Sequence, residues 1–341
     1  MKTNEGEYDL EHYLEWYQFL KNKLPAGFSI FNYDLSDDIE IYDSLFEFIF
    51  ESLSHEWINF YERPCYFYYI GEFKDSVIEK TRAYAENCGD FNVIGIKYNL
   101  IKDLFSLFSK QSQILSNLPE VKKYSIESLL NLQIGALIYR LSVSFLYYHE
   151  LAHIMQFSPN ERQRMSEDCV SMYLTKSDTL SKHTKEMDAD YVSARLTTKI
   201  VIDYWKDLPK KQRQVEILEF LISITLVGVF ILWDYLSSGI SEVYFLEKSH
   251  PHEVIRISAM SNSILNELDS SEEIKVNSEK ILRRTFEILQ TLNRNEPILI
   301  YLNTVTQKRK NLDEYWQELE IQARLYKDSA LNKLSNPASD Y

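Results

Sequence analysis

Residues 137–157 read LIYRLSVSFLYYHELAHIMQF. Apolar residues recur here at helical spacing over more than five turns, which predicts a long helix packed on most of its surface. Inside it lies His149-Glu150-Leu151-Ala152-His153, an HExxH string. Residues four apart on a helix differ by about 40° around its axis, so His149 and His153 point the same way and can grip one metal ion. Glu150 is the next residue after His149, where a carboxylate can reach a water held by that ion. A bound zinc lowers the water's pKa toward ~7, and Glu150 can take its proton as the oxygen attacks a carbonyl.

Two histidines leave zinc short of a third protein ligand. The stretch KEMDADYVSARL at 185–196 offers one. Glu186 and Asp190 are four apart and share a helical face, while Asp188 points elsewhere. Glu186 is the expected third ligand. Asp190 is the expected acceptor for the other ring nitrogen of a ligand histidine, His149 first, fixing its tautomer. His183 competes as a ligand, but it stands in the polar string SKHTK ahead of the helix. A third string, SHPHEVIRISAM at 249–260, holds His250, Pro251 and Arg256. Pro251 suits the first turn of a helix, leaving His250 at its mouth. A histidine or arginine beside the metal can stabilise an oxyanion; taken alone, the string reads rather as a surface turn with a helix start.

The rest of the chain sets bounds. Its 341 residues carry 37 Lys+Arg against 51 Asp+Glu, a net charge of −14, which argues against a nucleic-acid partner. Apolar residues make up 45% and include 24 Tyr and 18 Phe, enough for a large core. The three cysteines, Cys65, Cys88 and Cys169, form no CxxC pair. The first residues, MKTNEGEYDLEHYLEW, lack the basic flank and apolar run of a secretory signal, so a cytoplasmic location is expected. The run FLISITLVGVFILW at 220–233 has 14 residues, short of the ~20 needed to cross a bilayer, and reads as a buried core helix with no membrane partner. Strand-like runs occur at 65–73 and 91–100, and further helical patterns at 216–236, 279–294 and 312–327. The expected fold is mainly α (α+β), with a small β element in the N-terminal third. The aromatic stretch 42–70 reads as core. His12 and His55 have no partner in sequence that makes them ligands.

The three strings together, HELAH at 149–153, EMDAD at 186–190 and HPHEVIRI at 250–257, resemble the gluzincin metallopeptidases. The same order of HExxH, ExxAD and HPxxxxRI occurs in HtpX-type and CAAX prenyl peptidases, which carry several membrane helices. It also occurs in the soluble Lit-like phage-exclusion peptidases of bacteria, to which this chain is more similar. In those peptidases, too, a strand and an aromatic apolar helix precede HExxH, as FNVIGIKYNLIKDLFSLFSK does here. The resemblance covers about 91–260. It implies a zincin-like helical core at 91–265, between an accessory α/β region at 1–90 and a helical region at 266–341.

The resemblance further implies Zn2+ held by His149, His153 and Glu186, with Glu150 as catalytic base and Asp190 behind the ligands. It implies a cytoplasmic protein substrate, a translation factor in the Lit-like case, and gating by an activating peptide or protein. The stretch 158–185 is longer and more polar than that pattern and reads as a flap or a substrate-selecting insertion. Two other functions stay open: a regulatory peptidase that cleaves a repressor, and a non-catalytic binding module on a peptidase scaffold.

Overall fold

In the computed structural model the residues described are 11–24, 29–54, 63–72, 82–157, 164–166, 175–237, 243–248, 250–269, 274–326 and 329–335. His55, Cys169 and most of 158–174 lie outside them. In chain order the elements are α1 (Glu11–Lys23), α2 (Ile39–Phe48), β1 (Cys65–Ile70), β2 (Ala83–Asn87), β3 (Asn92–Lys97), α3 (Tyr98–Ser116), α4 (Pro119–Tyr124), α5 (Ile126–Leu130), α6 (Ile134–Gln156), β4 (Arg164–Ser166), α7 (Lys176–Asp207), α8 (Val215–Leu236), α9 (Glu253–Asp269), α10 (Ser278–Thr291), α11 (Asn295–Gln307), α12 (Arg309–Leu325) and α13 (Ala330–Ser335). The fold is mainly α with one small sheet.

The sheet has the order β1-β3-β2-β4, with β1 parallel to β3 and the other pairs antiparallel. Two of its strands were expected. β2, AYAEN, escapes a pattern reading because alanine and glutamate are weak strand formers; its pairing with β3 overrides that preference. β4 comes from the stretch after α6, so the 158–185 segment is in part a sheet edge and in part the first turns of α7. Strand alternation sends side chains to both faces of the sheet. Phe67, Tyr69, Ala83, Ala85, Ile94 and Ile96 join the main helical core, while Tyr68, Ile70, Tyr84 and Val93 meet Leu20 of α1. Of the aromatic stretch at 42–70, residues 55–62 lie outside the described residues; among the rest Tyr42, Phe46, Phe67 and Tyr69 are core, touch one another and reach Tyr147 of α6. The sheet joins strands from both sides of residue 90.

α6 runs through the middle of the molecule. Apart from Ala136 and Arg140, all its residues are buried, as expected of a helix apolar all round. Its hydroxyls cost little there, because Ser142 and Ser144 donate to the carbonyls of Ile138 and Arg140, each at 2.8 Å. α8 is longer than the apolar run it contains. Its 22 residues are long and apolar enough by composition to cross a bilayer, so the argument from length does not hold. Burial decides instead: residues 217–234 are packed inside the fold against α6, α7 and α10.

Close approach around α6 depends on two glycines. A Cβ at Gly228 of α8 would lie 2.6 Å from Ser142 Oγ, and one at Gly135 of α6 would lie 2.8 Å from the carbonyl oxygen of Phe108 in α3. Replacing a mid-helix glycine by alanine ordinarily gains up to about 1 kcal/mol. At Gly135 the obstacle is backbone, which cannot swing away. Gly135→Ala is therefore expected to lower stability by about 1–3 kcal/mol, seen as a reduced urea midpoint. A stabilised variant would show that the two helices can part freely.

Candidate metal centre

Helical geometry brings the sequence candidates together. α6 and α7 run antiparallel where they meet, with His149 against Asp190 and Gln156 against the carbonyl of Lys185. The Nε2 atoms of His149 and His153 face each other at 3.1 Å. Glu186 Oε2 lies 3.3 Å from His149 Nε2, and Glu186 Oε1 lies 3.6 Å from His153 Nε2. Among the described residues these three side chains form a buried group with ligand atoms all within 4.8 Å of one another, and it could hold a metal ion.

The opposite ring nitrogens are held from behind. His149 Nδ1 is 3.0 Å from Asp190 Oδ1, the pairing expected. His153 Nδ1 is 2.9 Å from Oε1 of Gln156, a residue the sequence reading passed over. The amide of Gln156 has one consistent orientation. Its Nε2 donates to the carbonyl of Lys185 and to Asp188 Oδ2, both at 2.9 Å, so its oxygen must face His153. His153 therefore donates from Nδ1 and keeps its Nε2 lone pair for a ligand bond. The only hint in sequence was position, since Gln156 falls three residues after His153 on the same helical face.

Arg256 on α9 completes the arrangement. Its Nε and Nη2 each donate to Asp190, at 2.8 Å, and its guanidinium lies 3.5 Å above the ring centre of Trp233 on α8. Nη2 also stands 3.5 Å from Glu186 Oε2 and 3.4 Å from His149 Nε2. Both donors on one edge of the guanidinium are thus committed to Asp190. His250 Nε2 is 3.6 Å from Glu186 Oε1, and with 19% of its side chain exposed it is the most open of these groups. Glu150 is wholly buried in the turn that carries His149. His252 caps α9, its Nδ1 accepting from the amide of Val254 at 3.1 Å; Pro251 thus precedes the cap and lies outside the first turn.

The charges are strongly shifted. Burial favours a neutral His149, but bonds to Asp190 and Glu186 outweigh it and raise its pKa to about 10. Burial lowers His153 to about 4 despite the nearby Glu186. Burial alone would raise the Glu186 carboxyl, yet His250, His153 and His149 hold it well below the usual carboxylate range. Asp190 is likewise lowered against its burial, chiefly by Arg256. Without an ion, then, a proton on His149 sits where a cation would.

His183 is no ligand. It accepts from the Tyr315 hydroxyl at Nδ1 (2.5 Å) and donates from Nε2 to the carbonyl of Lys248 (2.9 Å), so it ties the segment before His250 to α7 and α12. His12 is far from this group, stacked on Phe50 with Nδ1 3.7 Å from Glu47. Tyr147 and Tyr148 are core residues. Comparison with protein-family models, with curated proteins and with solved structures finds no match.

Two outcomes follow from these environments. Arg256→Met leaves Asp190 buried without its cation and should cost about 3–5 kcal/mol in urea denaturation; wild-type stability in that variant would mean the pair is dispensable. Burial lowers the His183 pKa from 6.5 to about 4, so the fold prefers the neutral ring. Its contribution is complete above pH 6.5 and is lost as pH falls toward 4, because the unfolded chain takes the proton first. Across that window wild type should lose on the order of 3 kcal/mol more than His183→Gln. Parallel pH profiles for the two proteins would contradict this.

Proposed function

We propose that the protein is a zinc-dependent endopeptidase of the gluzincin kind. The observation that carries this reading is the convergence of two imidazole Nε2 atoms and one carboxylate, with His153 held at Nδ1 by Gln156 and His149 Nδ1 standing 3.0 Å from Asp190. Two nitrogens and one oxygen, with room for a water, is the donor set of catalytic zinc. The charge balance supports a cation: Glu186 and Asp190 are both held ionised, and beside Arg256 the second positive charge is the proton on His149 that an ion would replace. An ion bound here supplies Lewis acidity, which polarises a carbonyl and acidifies a water.

The remaining work falls to side chains of this chain. Glu150 receives the proton of the attacking water and passes it to the departing amine. Asp190 keeps His149 in one tautomer, and Arg256 keeps Asp190 ionised and oriented. His250, at the exposed side of the group, is placed to donate to the oxyanion of the substrate carbonyl. Arg256 is read as a positioning residue, since the Nε–Nη2 edge of its guanidinium is turned to Asp190.

The substrate class comes from the likeness of the three strings HELAH, EMDAD and HPHEVIRI to Lit-like phage-exclusion peptidases. On that footing the substrate is a cytoplasmic protein of the translation machinery. Cutting is conditional on an activating peptide or protein, and the biological role is antiviral defence. A second reading, a closed structural metal site on a binding module, draws on one distance, the 3.6 Å between His250 and Glu186.

The test uses purified protein and cells. Wild type should carry one equivalent of zinc. Glu150→Gln should keep it while cleavage falls by about 10²–10⁴-fold. Comparing new protein N-termini in cells expressing wild type or Glu150→Gln should reveal the substrate. A Glu150→Gln protein that still cuts refutes the mechanism, and four protein ligands in a cobalt-substituted spectrum would favour the structural reading.

A further inference from the structure

Asp188 was expected to point away from the site, and it does, but it is not idle. It is buried and collects donors from two directions. From α6 comes Gln156 Nε2 at 2.9 Å. From the start of α13 come the Ser329 hydroxyl at 2.6 Å, the Ala330 amide at 2.6 Å and the Leu331 amide at 3.3 Å. One turn further on, Lys333 Nζ donates to the carbonyl of Met155 at 2.7 Å, at the last turn of α6. The C-terminal segment therefore grips α7 at Asp188 and the end of α6 at Met155.

The grip leads to a ligand atom. Gln156 is oriented only because its amide donates to Asp188 and to the Lys185 carbonyl, and that orientation makes its oxygen the acceptor for His153 Nδ1. A continuous hydrogen-bonded chain thus runs from Ser329 through Asp188 and Gln156 to His153. α13 has only six residues, too few to be a stable helix in isolation. Ser329 caps it, accepting from the Asn332 amide at 3.2 Å, and that same hydroxyl donates a hydrogen bond to Asp188. One hydroxyl thus both caps the helix and braces the carboxylate to which Gln156 donates.

We propose that residues 329–333 are a positioning latch for the metal centre: their docking on Asp188 and Met155 sets, through Gln156, the ring orientation of His153 and hence the affinity for the ion. Ser329, Asp188 and Lys333 act through other residues and touch neither ion nor substrate. Coupling of this kind is reciprocal, so binding of the ion tightens the docking of 329–333 by the same factor. The proposal rests on the metal-binding reading above, and the experiment separates the two.

Zinc affinity is measured by chelator competition on the full chain, for wild type, Ser329→Ala, Ser329→Thr, Asp188→Asn and Lys333→Met. Helical circular dichroism serves as the check of folding. Ser329→Ala and Asp188→Asn should each lose about 10-fold or more in affinity, as lost partners of a ligand histidine do, and Ser329→Thr should restore it. In a Gln156→Leu background Ser329→Ala should add nothing further, because the connection is already cut. Hydrogen exchange at the Ala330 and Leu331 amides should slow when zinc is added to wild type. Equal affinities for wild type and Ser329→Ala, or exchange at 330–331 indifferent to zinc, overturns the latch alone. Wild type that binds no metal overturns the metal reading and the latch with it. If Asp188→Asn fails to fold, Ser329→Ala and the exchange measurement decide.

Discussion

The paired bond between Arg256 and Asp190 is the constraint around which the molecule is arranged. An ionised carboxylate and a guanidinium, both almost wholly buried, are tolerable only when nearly every donor and acceptor is used. Here Asp190 takes two bonds from Arg256 and stands against His149, while the face of the guanidinium rests on Trp233. Four helices meet there: α6 through His149, α7 through Asp190, α8 through Trp233 and α9 through Arg256. Helix axes can shift little without breaking one of these contacts. The side chains of the His149, His153 and Glu186 group inherit their precision from that rigidity.

The site was more legible in the sequence than its supports. His149 and His153, and Glu186 and Asp190, announce themselves because i and i+4 spacing is a local rule that survives folding. Asp190 could be assigned to His149 for the same reason. Gln156 and Asp188 could not be found that way, because their roles depend on which helix faces which. Asp188 bonds a residue 141 positions later, and no local pattern encodes such a meeting. β4 was hidden by its three-residue length, and β2 by a composition that only its partner strand makes extended. His252, to which no sequence pattern gives a role, is a helix cap.

α8 shows how length and apolarity mislead when taken alone. Its sequence suits a bilayer, yet its surroundings are other helices, and its residues are used one by one. Gly228 admits α6, Trp233 backs the guanidinium, Ser223 donates to the Glu219 carbonyl at 2.8 Å, and Glu219 receives the amide of Asn277 at 3.0 Å from the start of α10. A span facing lipid would have no need of such specific neighbours.

The hydrogen bond from Ser329 to Asp188 also has a meaning in time. The two residues are 141 apart, and chains are made at about 5–20 residues per second, so Asp188 emerges from synthesis some 7–30 s before its partner (order of magnitude). During that interval α6 and α7 can already meet, while the carboxylate behind Gln156 lacks three of its four donors. The Asp188 carboxylate therefore gains most of its donors only after α6 and α7 have both been made.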